Sequence, residues 1–327
     1  MPSRPLSAVG KDRAVAAIPT TIPHGRTAQR LTWPHLPPAV RALVEDRCGS
    51  PVVDAVSQGG GFTPGFASVL TCADGSRHFV KAASNKAQRP IAADYREEVR
   101  KLRALPPGLP AARLLWAEDG DWVVLGLEYV EGRAPRRPWR TADLDATLDA
   151  LEVVARELTP VPEGLLLERF ADEMAGWPAY WEHVARTRPG LPHLADASAL
   201  AARFAEASAG DTVVHTDIRD DNTIVRPDGT AVFCDWNWLV SGAPWLDTLF
   251  LLIGPRGDGL DTDAVLAARP LTRDVPPEYV DIMLALVIGY FFKSADDPVP
   301  PTSPHLREHQ RWQGEVLWQW LVERRGW

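Results

Sequence analysis

Val213-Val214-His215-Thr216-Asp217-Ile218-Arg219-Asp220-Asp221-Asn222 is the stretch that decides how this chain is read. It has the form His-x-Asp-x-x-x-x-Asn. With 8 His, 26 Asp and 3 Asn in 327 residues, random placement yields about 0.006 such matches. An apolar pair opens the stretch. Two short β-prone runs follow it, 223–226 and 230–234, joined by the turn Pro227-Asp228-Gly229. The second run ends at Asp235, so a hairpin carries that carboxylate back beside the 213–222 loop.

This grouping suits phosphoryl transfer. An aspartate beside the attacking hydroxyl orients it and takes its proton. An asparagine and a second aspartate hold Mg²⁺ against nucleotide phosphates. The residues therefore assign Asp217 as base and Asn222 and Asp235 as metal ligands, with ATP and Mg²⁺ as cofactors. A turn capped by Asp and Asn is the plain alternative, but it leaves Asp235 unexplained.

Working outward toward the N-terminus, residues 51–83 read as strand, glycine loop, strand, turn, strand, with apolar runs at 51–56, 67–71 and 78–82. Amides at Gly59, Gly60 and Gly61 can approach phosphates closely. No Gly-Lys-Ser/Thr follows, so this is not a Walker-type loop. Lys81 lies in the third run, where a phosphate-pairing lysine belongs, although a strand lysine is more often a solvated face. It needs a carboxylate to hold it. Glu98 on a predicted helix at 91–105 fits, with Glu97 as runner-up. Further strands are expected at 114–117 and 122–129, and a helix at 39–48 stopped by Gly49. Residues 1–30, rich in Pro, Ala, Ser and Thr, are expected to be a mobile basic arm.

Toward the C-terminus the texture turns helical after Gly132, with patterns at 142–158, 165–186, 197–207, 277–292 and 306–324. The fold class is α+β in two lobes: a small antiparallel-sheet N-lobe at 31–131 binding nucleotide, and a larger, mostly helical C-lobe at 132–327 with the catalytic loop and acceptor site. A chain of 327 residues with 45% hydrophobic and 24% charged residues accommodates both. Cys48, Cys72 and Cys234 are too few and too scattered for a disulfide framework or a cysteine-based zinc site. No apolar stretch is long enough to span a membrane, and the N-terminus lacks the apolar core of a secretory signal, so a cytoplasmic location is expected. The net charge of −8 disfavours nucleic-acid and anionic-membrane binding. Residues 1–131 carry 16 Lys+Arg and 13 Asp+Glu, and the remainder 19 and 30. A basic first part suits an anionic ligand and an acidic second part a cationic acceptor, or equally a solvated surface. On the 165–186 pattern, Asp172, Glu173 and Glu182 are candidates to meet substrate amines. Tryptophans such as Trp177 and Trp181 are core by default, and some are candidates to line an acceptor pocket.

His215–Asn222 and Asp235 together with Lys81 and Glu98 resemble the aminoglycoside phosphotransferase family, of the eukaryotic-protein-kinase-like fold, over about residues 51–325. The resemblance implies an ATP-dependent enzyme that phosphorylates a hydroxyl of a small molecule, such as an antibiotic, an amino alcohol or a sugar, with antibiotic resistance among the roles. It implies Lys81 on the α- and β-phosphates, Glu98 holding that lysine, and Glu128, Tyr129 and Val130 as an adenine-binding hinge. Asp247 looks like the family's structural aspartate, bracing the catalytic loop from a helix at 247–253. Arg219, two residues after the base, stands where a cation steadies the transferring phosphoryl, or else pairs with Asp220 or Asp221. Asp235 is followed by Trp236-Asn237 rather than Phe-Gly and no Ala-Pro-Glu follows, which disfavours a protein kinase. A nucleotide-binding pseudokinase or scaffold is disfavoured because Lys81, Asp217, Asn222 and Asp235 are all present. Neither the acceptor nor the oligomeric state is legible.

Overall fold

Alternation of side chains across a strand explains why the sheet of this protein has an apolar layer on each face. The computed structural model describes residues 15–327. Helix α1 (Pro38–Cys48) precedes strands β1 (Val52–Ser57), β2 (Phe66–Cys72) and β3 (Arg77–Ser84), then helix α2 (Arg89–Ala104), β4 (Leu114–Asp119) and β5 (Trp122–Glu128). The strands form one antiparallel sheet in the order β1-β2-β3-β5-β4. Phe66, Leu70, Val80, Ala82 and Val124 face α1 and meet its Val40 and Val44. Ala83, Val123, Leu125 and Leu127 face α2 and meet Ala92, Tyr95 and Val99. The register sets Lys81 between Ala67 and Leu125 in the middle of the sheet.

The helical region follows. It holds α3 (Thr141–Glu157), α4 (Phe170–Glu173), α5 (Tyr180–Thr187), α6 (Leu194–Ala201) and α7 (Phe204–Ala207). Short strands β6 (Thr212–Val214), β7 (Thr223–Val225), β8 (Ala231–Phe233) and β9 (Val240–Gly242) come next, and then α8 (Leu246–Leu251), α9 (Ile253–Gly257), α10 (Thr262–Ala268), α11 (Pro277–Ala295) and α12 (Leu306–Arg325). Strand β7 pairs with β8 as the expected hairpin, and β6 pairs with β9. Helix α11 is apolar nearly all round and sits at the centre of the helical core, as such a helix must. No helix among the described residues is long and apolar enough to cross a membrane.

Several expectations need correction. The segment 165–186 is not one helix. Gly176 and Pro178 interrupt it, so α4, a 3₁₀ turn (Trp177–Ala179) and α5 replace it. The pattern at 197–207 breaks into α6 and α7, and the β6/β9 pair was not foreseen. The mobile arm expected over 1–30 is wrong for residues 15–30, and residues 1–14 lie outside the described residues. The 15–30 segment is extended and tied down: Ile18 N donates to Gly257 O at 2.9 Å, Trp312 Nε1 donates to Ile18 O at 2.8 Å, and Gln29 N donates to Thr302 O at 2.8 Å. Its composition resembles that of a disordered tail, but its backbone groups find partners on the folded body. The cysteines are less scattered than they look in sequence. Cys48 and Cys72 meet at the end of β2, with His78 beside them and all three ligand atoms within 4.8 Å.

Candidate active site

A cleft of about 1030 Å³ separates the sheet from the helical region. Lys81, Glu128, Asp217, Asn222 and Asp235 line it, and glycines 59–61 border it.

Lys81 is only 5% exposed, yet it is charged, because it meets two carboxylates. Its ammonium donates to both oxygens of Glu98 at 2.8 Å each, and also to Asp235. Burial pulls the lysine pKa down, but the charges of Asp235 and Glu98 outweigh it and raise it above its ordinary value. Burial pushes the Glu98 carboxyl up. Burial also acts on Asp235, but Lys81 overcomes it and holds that carboxyl below the usual range. Glu97 turns outward to Arg100 at 2.8 and 3.1 Å, so Glu98 is the partner. One turn along α2, Lys101 donates to the carbonyls of Asn237 (2.6 Å) and Leu239 (3.3 Å). A single helix face thus holds both the strand lysine and the turn that follows Asp235.

The loop after β6 hangs from α8. Asp247 accepts from His215 N at 2.7 Å and from Thr216 N at 2.8 Å, one bond per oxygen. Burial pushes its carboxyl up to about 7 in spite of those two donors. His215 is buried, which lowers its pKa to about 4. One ring nitrogen bonds the Cys234 carbonyl at 2.9 Å, tying the loop to the hairpin. Thr216 has φ 68 and Asp235 has φ 62. Left-handed backbone is costly for a β-branched residue. The Asp247 bond and a second from Thr216 Oγ1 to Trp238 O (3.0 Å) hold it there.

Asn222 Nδ2 donates to both the carbonyl and Oδ2 of Asp217 at 2.8 Å. Arg219 pairs with Asp217 at 2.7 Å, and with Asp221 at 2.9 and 3.0 Å. Burial pushes the Asp217 carboxyl up to about 6, against the pull of Arg219. About a third of its side chain, 31%, stays open to the cleft. Cys234 N donates to Asn222 O at 3.0 Å, which sets Asp235 next to Asn222. Asp220 faces away, toward His24 (3.1 Å) and Arg137 (3.3 Å). At the end of β5, Glu128 N donates to Arg113 O at 2.8 Å, and Tyr129 lies under the Arg77 guanidinium at 3.8 Å. Val130 packs with Ala112, Ile224 and Val232.

The model of the phosphotransferase enzyme family matches residues 68–279, well over half of the sequence. The chain belongs to that family. Solved structures agree on the fold. A macrolide 2′-phosphotransferase from Brachybacterium faecium superposes with TM-score 0.57 at 15% identity, covering 85% of this chain and 97% of that one. An aminoglycoside phosphotransferase from Alicyclobacillus acidocaldarius gives 0.55 at 14%, covering 84% and 92%. A choline kinase from Streptococcus pneumoniae gives 0.52 at 14%, covering 88% and 98%. No curated protein matches the chain in sequence.

In this phosphotransferase-family chain the cleft continues past Asp217 into an aromatic region. Trp177 stacks on Tyr290 with ring centroids 4.2 Å apart, and Trp238 is 52% exposed. Trp181, Trp236, Trp245, Trp312 and Trp320 are core, as the default reading holds. Of the three helix carboxylates singled out, Glu173 lines the cleft, whereas Asp172 is taken by Arg169 at 2.6 Å. Sequence reasoning missed Thr27, Arg30, Lys101 and Thr216. Their signals are hydrogen bonds across the fold, which no local pattern carries.

Proposed function

We propose that this protein is an ATP- and Mg²⁺-dependent phosphotransferase acting on a hydroxyl of a small molecule. The observation that carries the reading is the meeting, in one cleft, of the Lys81–Glu98 pair with Asp235, Asn222 and Asp217. Asn222 and Asp235 offer hard oxygen ligands side by side, and Lys81 keeps Asp235 ionised, so the donor set fits Mg²⁺. When bound, the metal neutralises phosphate charge during transfer.

The rest falls to the chain's own groups. The strand end Glu128, Tyr129 and Val130 holds the adenine through backbone groups, against the apolar wall of Ala112 and Ile224. Lys81 would pair with the α- and β-phosphates and Asp235 would be free to hold the metal, with the amides at Gly59, Gly60 and Gly61 facing the phosphates. Asp217 orients the acceptor hydroxyl and takes its proton, and Arg219 steadies negative charge at the transferring group. The aromatic region stacks on a ring or apolar face of the acceptor, and Glu173 pairs with an amine if the acceptor carries one. Acceptor-dependent ADP release tests the reading across aminoglycosides, macrolides, peptide antibiotics, choline-like amines, sugars and control peptides. Release driven by a small molecule alone is expected. Release driven only by peptides, or by nothing in a chain that binds ATP, would overturn it.

A further inference from the structure

The segment before the sheet is bonded to the carbonyls of all three glycines at 59–61. Thr27 N and Ala28 N donate to Gly59 O at 2.9 and 3.3 Å. Arg30 Nη2 donates to Gly60 O at 2.7 Å, and its Nη1 to Gly65 O at 3.3 Å. Thr27 Oγ1 donates to Gly61 O. In a trans peptide the C=O of one residue and the N–H of the next point in opposite directions. Holding three successive carbonyls toward residues 27–30 therefore turns the N–H groups of Gly60, Gly61 and Phe62 the other way. Among the described residues, none of those three N–H groups donates to anything. Adjacent unpaired amides beside a left-handed residue, here Gly61 at φ 73, make a concavity for anions. The contact is close: a Cβ on Gly59 would stand 2.8 Å from Gly25 O.

A further observation supports a ligand there. Arg30 makes no ion pair with a carboxylate among the described residues, and its positive charge is felt by Asp235, so a cation beyond Lys81 faces the same cleft. The segment is also fixed from its far end, where Ile18 bonds Gly257 and Trp312, and His24 meets Asp220 at 3.1 Å.

We propose that Thr27 and Arg30 are positioning residues that aim the glycine-loop amides at the nucleotide phosphates, with Arg30 adding positive charge beside them. Neither touches the reacting atoms: Thr27 acts through the loop, and Arg30 acts through the loop and through its charge. The inference rests on the nucleotide reading of the cleft given above and adds a part of the chain to it.

The test uses the full chain with Thr27→Val, Arg30→Met and Arg30→Lys. Calorimetry measures affinity for Mg²⁺–ATP and, separately, for adenosine, which has no phosphates. Thr27→Val and Arg30→Met are each expected to weaken ATP binding roughly tenfold, the usual worth of one such hydrogen bond. Adenosine affinity should be unchanged, KM for the acceptor should hold, and Arg30→Lys should recover part of the loss. ATP affinity within twofold of wild type in both variants overturns the proposal. So does an equal loss for ATP and adenosine, which marks a merely structural role. A wild-type chain that binds neither ligand overturns the nucleotide reading itself, and the two failures are told apart in one experiment.

Discussion

Replacing Asp217 by Asn tests the proton-accepting role most directly, and the structure sets the size of the effect. The carboxylate has two side-chain partners, Asn222 at 2.8 Å and Arg219 at 2.7 Å. With Asn at 217 the remaining oxygen keeps the Asn222 bond and the N–H₂ falls on the Arg219 side. Arg219 keeps its two bonds to Asp221 and is partly open to solvent, so it turns from the amide and no charge is stranded. The lost pair is open to solvent over 31% of the aspartate side chain, so its contribution to stability is about 0–1 kcal/mol. Losing a general base costs about 10²–10⁴ in rate, or about 3–5.5 kcal/mol of transition-state stabilisation. Asp217→Asn should therefore melt within a few degrees of wild type and bind ATP normally, with the loss falling on kcat and not on KM for ATP. Single-turnover transfer to the best acceptor of the panel measures this, with ATP affinity determined separately. A variant that binds ATP as wild type and transfers within about threefold of it refutes the role.

Because burial raises the Asp217 carboxyl to about 6, and a base acts only when ionised, log kcat/KM should rise with unit slope below about pH 6 and level off above; a flat profile from pH 5 to 8 removes that base. His215, lowered to about 4, contributes nothing to that limb. Lys81→Met should abolish turnover and also lower the melting temperature, since it strands Glu98, 2% exposed, without its partner. Adding Glu98→Gln should restore much of the stability and none of the activity, as read by thermal denaturation and ADP release. Asp247→Asn should destabilise by about 1–3 kcal/mol, because an amide N–H₂ would confront a backbone N–H of His215 or Thr216; unchanged urea unfolding contradicts that.

Much of this architecture is legible in sequence because local chemistry dictates it. Alternating apolar runs with Asp74-Gly75 and Pro227-Asp228-Gly229 between them can form little except hairpins, and the strands stand where those turns place them. Glu98 is preferred over Glu97 for the same kind of reason, since only one of two adjacent helix positions faces the sheet. The 165–186 segment departs from its apolar spacing because Gly176 and Pro178 end helices regardless of amphipathicity. The 15–30 segment fails for a different reason. Its order comes from partners at Gly59, Gly257 and Thr302, far along the chain, and composition says nothing about partners.

That segment changes how the two lobes are connected. The chain passes between them near Glu128, and residues 15–30 join them again, from Gly257 and Trp312 on one side to the glycine loop on the other. The lobes already meet through Lys81 and Asp235 and through Lys101 on the carbonyls of Asn237 and Leu239, and separating them must break the bonds of the tether as well. Opening is then a local unfolding event with its own free energy, and ligand exchange inherits its rate. Trimming the first thirty residues as dispensable would produce a looser body that loads and empties faster and grips less well.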